Sequence, residues 1–173
     1  MSPAATSLTL RTPGQADRDL VDRIVTASGV FRPDEHAIAL EVFDSAVARP
    51  GVDYHAVGAY DESDRLVGFA CYGPTPCTVH TWDLYWIAVD PATHRQGAGR
   101  ALMEACERDI AARGGRLVVV ETSSRADYAP TRAFYEALGY RVTARIPDFY
   151  ASNDDLITYT KRFDSSRSRP RHG

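Results

Sequence analysis

The feature that most constrains the fold is an apolar segment followed by a glycine-containing loop and a helical pattern. Residues 84–89 (LYWIAV) are apolar throughout, which is typical of a strand covered on both faces. A polar loop follows over residues 90–97, and residues 99–113 show helical spacing of apolar side chains. Such a junction brings free backbone N–H groups and the positive helix end together. It therefore predicts an α/β fold with an anion-binding site.

Two common phosphate-binding loops do not fit this junction. A P-loop requires Gly-Lys-Ser/Thr, whereas residues 99–101 are Gly-Arg-Ala. A dinucleotide fingerprint needs a third glycine after Gly97 and Gly99, and that position is Leu102. Glu121 lies where a ribose-binding acid would stand, but the loop before Gly97 is too long for the tight turn of that motif.

The loop resembles the signature of the GNAT acyltransferases, Q/R-x-x-G-x-G/A before a helix. Residues 94–99 (HRQGAG) fill the pattern, with His94 in place of the glutamine or arginine and both glycine positions kept. In that family the loop amides hold the pyrophosphate of acetyl-coenzyme A (acetyl-CoA). The resemblance implies that acetyl-CoA is a co-substrate of this chain.

A second stretch is similar to the same family. Residues 129–140 (APTRAFYEALGY) resemble its Phe-Tyr-x-x-Leu-Gly-Phe/Tyr segment, although Tyr128 stands where many members have asparagine. The likeness covers residues 80–160 by motif and residues 8–75 by element order. It implies the GNAT acyl-CoA N-acyltransferase fold, a mixed twisted α/β sheet flanked by helices and splayed at the acetyl-CoA cleft near Val89.

The resemblance also implies the roles of individual residues. Tyr135 matches the tyrosine that can protonate the leaving thiolate, the alternative being a tyrosine that only packs. Glu121 matches a candidate base of the ribosomal-protein N-terminal-amine acetyltransferases, which the C-terminal half resembles, although this chain has two more residues between Glu121 and Tyr135. Asp83 is a rival base. The coenzyme-binding residues implied are Ile87, Ala88, Val89, Arg95, Gln96, Gly97, Ala98, Gly99, Arg100, Thr131 and Phe134.

The implied reaction is acetyl transfer from acetyl-CoA to a primary amine, on a small molecule or a peptide N-terminus, by direct attack in a ternary complex. A non-catalytic acyl-CoA-binding sensor is the alternative. The acceptor side would be formed by residues 28–34 and by residues 146–155, an aromatic and acidic segment. That segment would either attract an ammonium group or form a solvated hairpin loop.

The composition of the chain limits which partners and which cellular compartment are expected. Residues 161–173 carry a net charge of +4 and the residues before them −7, so the acidic body is not typical of a nucleic-acid binder. No apolar run is long enough for a membrane span. The chain has three cysteines and no CxxC pair, so no disulfides are expected. Its five histidines do not show the spacing of metal ligands, so no metal site is expected. We expect a cytoplasmic protein.

The domain organisation follows from the same patterns. One domain is expected over residues 1–163, with strands and helices in the order β-α-α-β-β-β-α-β-α-β-β. Residues 164–173 (DSSRSRPRHG) are typical of a disordered basic tail. Exposed strands near the C-terminus could pair between chains, so a homodimer is expected.

Overall fold

The computed structural model describes residues 7–93 and 97–163, and within them every predicted element is present. The predicted tail, residues 164–173, lies outside the described residues, and the single domain stays a prediction. Short 3₁₀ turns occupy Gln15–Asp17, Pro91–Thr93 and Ala126–Tyr128. The helices and strands are β1 (Thr9–Arg11), α1 (Arg18–Ser28), α2 (Pro33–Ala48), β2 (His55–Tyr60), β3 (Leu66–Pro74), β4 (Thr81–Val89), α3 (Ala98–Ala112), β5 (Leu117–Ser123), α4 (Ala129–Ala137), β6 (Arg141–Ala151) and β7 (Asp154–Arg162).

The described residues fall into two compact units. The first is drawn from residues 1–74 and 84–109, and the second from residues 75–83 and 110–173. Strand order is β1-β2-β3-β4 in the first unit and β5-β7-β6 in the second, with the first three residues of β4 assigned to the second unit. The prediction of a mixed α/β sheet with flanking helices is thereby confirmed for its strands and helices.

The core of the first unit forms where α1 and α2 meet the sheet. Val21, Ile24 and Val25 recur at helical spacing on α1, and each is at most 3% exposed. Phe43 of α2 packs edge-to-face on Phe69 of β3, with ring centroids 6.0 Å apart. These apolar contacts orient both helices on the sheet.

The burial of β4 differs from the sequence-based expectation. Leu84 and Ala88 are buried, but Tyr85 is 36% exposed and Trp86 is half-buried. Trp86 contacts Phe31 edge-on, with ring centroids 5.0 Å apart. The apolar run therefore indicated a strand correctly but not complete coverage of both faces, since Ile87 and Val89 are also only partly buried.

The second unit is an antiparallel ladder of three strands. β5 pairs with β7 along its whole length, and β6 pairs with β7 on the other side. β6 continues to Ala151 and β7 starts at Asp154, although the sequence suggested a long polar loop there. The connection can be tight because Asn153 adopts φ +64°, a left-handed conformation that asparagine tolerates.

Candidate active site

Strand β5 presents two different faces. Val118, Val120 and Thr122 are buried, whereas Glu121 between them is exposed. Because side chains alternate along a strand, Glu121 lies on the face opposite to the other three. Cross-strand partners share a face, so Tyr159, which is paired with Val120, belongs to the buried face.

The pKa of the Glu121 carboxyl group is raised above its ordinary value. Partial burial raises its pKa, and the nearby carboxylate of Asp83 raises it further. The hydroxyl of Thr75 donates a hydrogen bond of 2.7 Å to Asp83 Oδ2. A glutamate with a raised pKa is a better proton acceptor near neutral pH than an ordinary surface glutamate.

Tyr135 lies on helix α4, which begins with Pro130 in its first turn. Its side chain is 4% exposed, and its ring lies 6.0 Å from the Tyr159 ring and 5.8 Å from the Tyr140 ring. Since Tyr159 belongs to the buried face of β5 and β7, α4 covers that face. The candidate acid Tyr135 and the candidate base Glu121 are therefore on opposite faces of the same strand pair.

Two predicted coenzyme-binding residues also lie on α4. Thr131 precedes Tyr135 by one helical turn and shares its side of the helix. Phe134 is half-buried, with its ring 5.5 Å from that of Tyr135. The second unit thus holds Glu121, Tyr135, Thr131 and Phe134.

The remaining predicted coenzyme-binding residues that the structure describes lie in the first unit. At the end of β4, Ala88 is buried while Ile87 and Val89 are half-buried. Arg95 and Gln96 lie outside the described residues. The structure gives no placement for these two side chains, so their roles remain predictions.

Gly97 opens helix α3 with a conformation that requires glycine. Its φ is +81°, its carbonyl accepts the hydrogen bond of 2.9 Å from the Ala101 amide, and a Cβ there would meet nothing within 4 Å. Ala98 is buried, Gly99 half-buried and Arg100 exposed. The first amides of a helix have no intrahelical acceptor, so this open start can bind an anion.

The two acidic residues that begin β7 are used for folding. Ser123 donates a hydrogen bond to Asp154, and Arg145 pairs with Asp155 at 2.6 Å. Asp154 is 5% and Asp155 is 9% exposed. These two carboxylates are therefore neither a solvated loop nor free to bind an ammonium group.

Sequence reasoning missed two residues that support the site. Arg132 and Tyr159 hold α4 through hydrogen bonds to the chain after β5 and to Glu136, respectively. Residues 154–162 (DDLITYTKR) do not alternate clearly, so the sequence alone did not assign Tyr159 to the buried face. No sequence signal indicated its partner.

The described residues form neither a metal-binding cluster nor a membrane-spanning helix. Over residues 7–93 and 97–163, no three histidine, cysteine, aspartate or glutamate side chains come together in a way that could hold a metal ion. Within the same ranges, none of the helices is long and apolar enough to cross a membrane.

Comparison with known proteins gives three related findings. Residues 53–142 match the family described as acetyltransferase (GNAT) domain. Mycothiol acetyltransferase of Segniliparus rotundus is 33% identical over 76% of this chain and 50% of its own length. [Ribosomal protein bS18]-alanine N-acetyltransferase of Escherichia coli K12 is 34% identical over 56% of this chain and 69% of its own. The chain spans about half the length of the mycothiol acetyltransferases it matches.

A solved structure agrees with these relatives. The crystal structure of a putative GNAT acetyltransferase from Desulfovibrio desulfuricans is 42% identical, covers 90% of this chain and 99% of its own, and superposes with a TM-score of 0.85. The predicted resemblance to GNAT proteins, including the ribosomal-protein acetyltransferases, is confirmed. On these matches, and on the glycine-opened helix α3 and the Tyr135 segment, the chain belongs to the GNAT acetyltransferase family.

Proposed function

We propose that this chain is an acetyl-CoA-dependent N-acetyltransferase that acts on primary amines. The observation that carries the proposal is the placement of Glu121 and Tyr135 on opposite faces of the β5–β7 pair. Amine attack on a thioester needs a proton acceptor at the nitrogen and a proton donor at the leaving sulfur. The nitrogen and the sulfur are bonded to the same carbon during the attack, so the two side chains must reach that carbon from the two faces at the end of the strands. Glu121 lies two residues before the end of β5.

Two features of the chain fit acetyl-CoA. The start of α3 at Gly97 offers backbone amides and open space to a pyrophosphate, with Ala98, Gly99 and Arg100 next to it. The hydroxyl of Thr122 is buried on the Tyr135 face and has no hydrogen-bond partner in the described residues. Ile87, Ala88 and Val89 would bind the pantetheine arm through their backbone, as the family resemblance implies.

The reaction proceeds by direct attack within a ternary complex. Glu121 accepts the proton of the ammonium or amine, and Tyr135 donates the proton that the departing thiolate takes up. Cys71 and Cys106 are poor acyl carriers, because burial raises the pKa of Cys71 to about 12 and also raises the pKa of Cys106. Asp83 acts on the pKa of Glu121 and is the second candidate for the base.

The acceptor is the primary amine of a small molecule or of a peptide N-terminus. The two curated relatives are named for mycothiol and for the alanine of a ribosomal protein, so both classes belong in the test. The carboxylates of Glu121 and Asp83 lie close enough to interact and would attract an ammonium group. No observation favours a non-catalytic acyl-CoA sensor.

The proposal also covers the cellular compartment and the oligomeric state of the protein. We place the protein in the cytoplasm, in keeping with cysteines that are free in the described residues. β6 ends the strand order and leaves Val142 and Ile146 about half exposed, which supports a homodimer through this edge. Light scattering on the purified chain would measure the mass.

The experiment measures free-thiol release from acetyl-CoA with amino acids, polyamines, aminoglycosides and peptides that start with alanine or serine. If thiol release depends on the amine and falls at least about tenfold in Tyr135→Phe, the result supports both the acetyltransferase activity and the role of Tyr135 as the general acid. Tyr72→Phe is the matched control, because Tyr72 is likewise a buried tyrosine but lies in the other unit, where its hydroxyl donates a hydrogen bond of 2.8 Å to Asp109.

Three outcomes would count against the proposal. Coenzyme binding without release for any amine would favour the sensor. Equal rates in Tyr135→Phe and the parent would remove Tyr135 as the acid. Parallel lines in two-substrate initial-rate plots would indicate an acyl-enzyme and contradict direct attack.

A further inference from the structure

The position of Tyr135 depends on what holds α4. This helix has only nine residues, and a helix of that length is not stable without tertiary contacts. A general acid must stay within hydrogen-bond reach of the atom it protonates, so small shifts of α4 matter for the chemistry. The contacts at the two ends of α4 therefore decide where the phenol lies.

The first end is held by Arg132. Its Nη1 donates hydrogen bonds of 2.8 Å to the Ser123 carbonyl and 2.9 Å to the Arg125 carbonyl. Ser123 is the last residue of β5, and Arg125 lies two residues beyond it. One guanidinium group therefore fixes the start of α4 to the strand that carries the candidate base.

The second end is held by Tyr159. Its hydroxyl donates a hydrogen bond of 2.9 Å to Glu136 Oε1, on the residue that follows Tyr135. Tyr159 is 1% exposed and stands opposite Val120 in the β5–β7 ladder. Burial, together with the bond to Glu136, raises the pKa of Tyr159 to about 12, so this hydroxyl remains a donor at every ordinary assay pH.

We propose that Tyr159 is a positioning residue for the acetyl transfer. Its hydroxyl bond to Glu136 fixes the end of α4 against β7 and holds the Tyr135 phenol at the place where the thiolate leaves. Tyr159 itself touches neither acetyl-CoA nor the amine. The inference rests on the proposed function, because it assigns Tyr159 a role only through Tyr135.

A double-mutant cycle tests this dependence. Tyr159→Phe keeps the ring and removes the hydroxyl, so kcat is expected to fall about tenfold to a hundredfold while the dissociation constant of CoA stays within about twofold. In a Tyr135→Phe background the same substitution should lower kcat no further, because its only route is through that phenol. An additive loss in the double variant would overturn the proposal.

Glu136 supplies the conservative comparison. Glu136→Gln keeps an oxygen that can accept from Tyr159 and is expected to recover most of the kcat that Glu136→Ala loses. Tyr72→Phe removes an equivalent buried tyrosine–carboxylate bond, with Asp109, and is expected to lose stability without losing kcat. Equal kcat in both Glu136 variants and the parent would contradict the role of the bond.

Hydrogen exchange gives a readout that does not depend on turnover. The amides of α4 should exchange about fivefold faster in Tyr159→Phe than in the parent or in Tyr72→Phe, as expected for one lost hydrogen bond. Unchanged exchange in α4 would overturn the inference whatever the activity. If Tyr135→Phe itself leaves kcat unchanged, the acid assignment fails instead, and the exchange result still decides whether Tyr159 holds the helix.

Discussion

Replacing Gly97 with alanine separates backbone strain from anion binding at the start of α3. Gly97 has φ +81°, a region that costs a residue with a Cβ about 1–2 kcal/mol. A Cβ at this position meets no atom within 4 Å, so no steric cost is added in the folded protein. The expected loss of stability is therefore about 1–2 kcal/mol, or about 2–4 °C in Tm for each kcal/mol.

Gly114, after the other end of α3, provides the matched control. Its φ is +80°, and a Cβ there would meet only the His80 ring, at 3.9 Å, which is an ordinary contact. Gly114→Ala should consequently lose about the same stability as Gly97→Ala, on the same backbone argument. Any difference between the two variants in ligand binding then reports on the helix start.

The two variants should differ in affinity for CoA. An added methyl at Gly97 occupies space that the pyrophosphate needs and weakens at least one charge-assisted hydrogen bond, worth about 1.5–3 kcal/mol. Titration calorimetry with CoA should therefore show a dissociation constant about 10- to 100-fold higher for Gly97→Ala and nearly unchanged for Gly114→Ala. Equal dissociation constants in the two variants would refute the placement of the pyrophosphate at this helix.

Two further predictions concern carboxyl groups. Asp83→Asn removes a neighbouring charge that raises the pKa of Glu121. The acidic limb of the pH profile of kcat/KM should therefore move to lower pH. If the limb does not move, Glu121 is not the base. The pKa of Asp155 lies below its ordinary 3.8 because the Asp148 amide and Arg145 stabilise the carboxylate. Its contribution to stability is therefore present above pH 3.8 and is lost as pH falls further. In urea unfolding, Asp155→Asn should be less stable than the parent at pH 7 and lose that difference in acid; a constant difference would contradict this.

Local patterns were sufficient to predict the elements of this chain. Helix α2 starts at Pro33 as its sequence indicates, because proline and acidic residues favour the first helical turn. Residues 117–120 (LVVV) are apolar throughout, which is typical of a strand, and β5 begins at Leu117. Residues 146–155 were expected to form a hairpin loop or an ammonium site, whereas most of them belong to β6 and β7, because polar residues in a hairpin are compatible with both a loop and a ladder.

Contacts that need a strand register could not be predicted. Tyr159 bonds Glu136 across 23 residues, and Ser123 bonds Asp154 across 31. Periodicity tells which face a side chain takes, but it does not tell which residue of another strand stands opposite. The buried roles of Asp154 and Tyr159 therefore appeared only when the pairing of β5 with β7 was known.

The face on which Glu121 lies depends on β5 and not on the connection between β5 and α4. The Ala126–Tyr128 turn lies in that connection, between Glu121 and Tyr135. Alternation along β5 alone decides the face of Glu121, whereas α4 reaches the other face through a connection whose length can vary. A slip of one residue in β5 would move Glu121 to the face that α4 covers and would remove it from the position in which we propose it as the base. Selection on this chemistry should therefore act more strongly on the ladder than on the length of the turn.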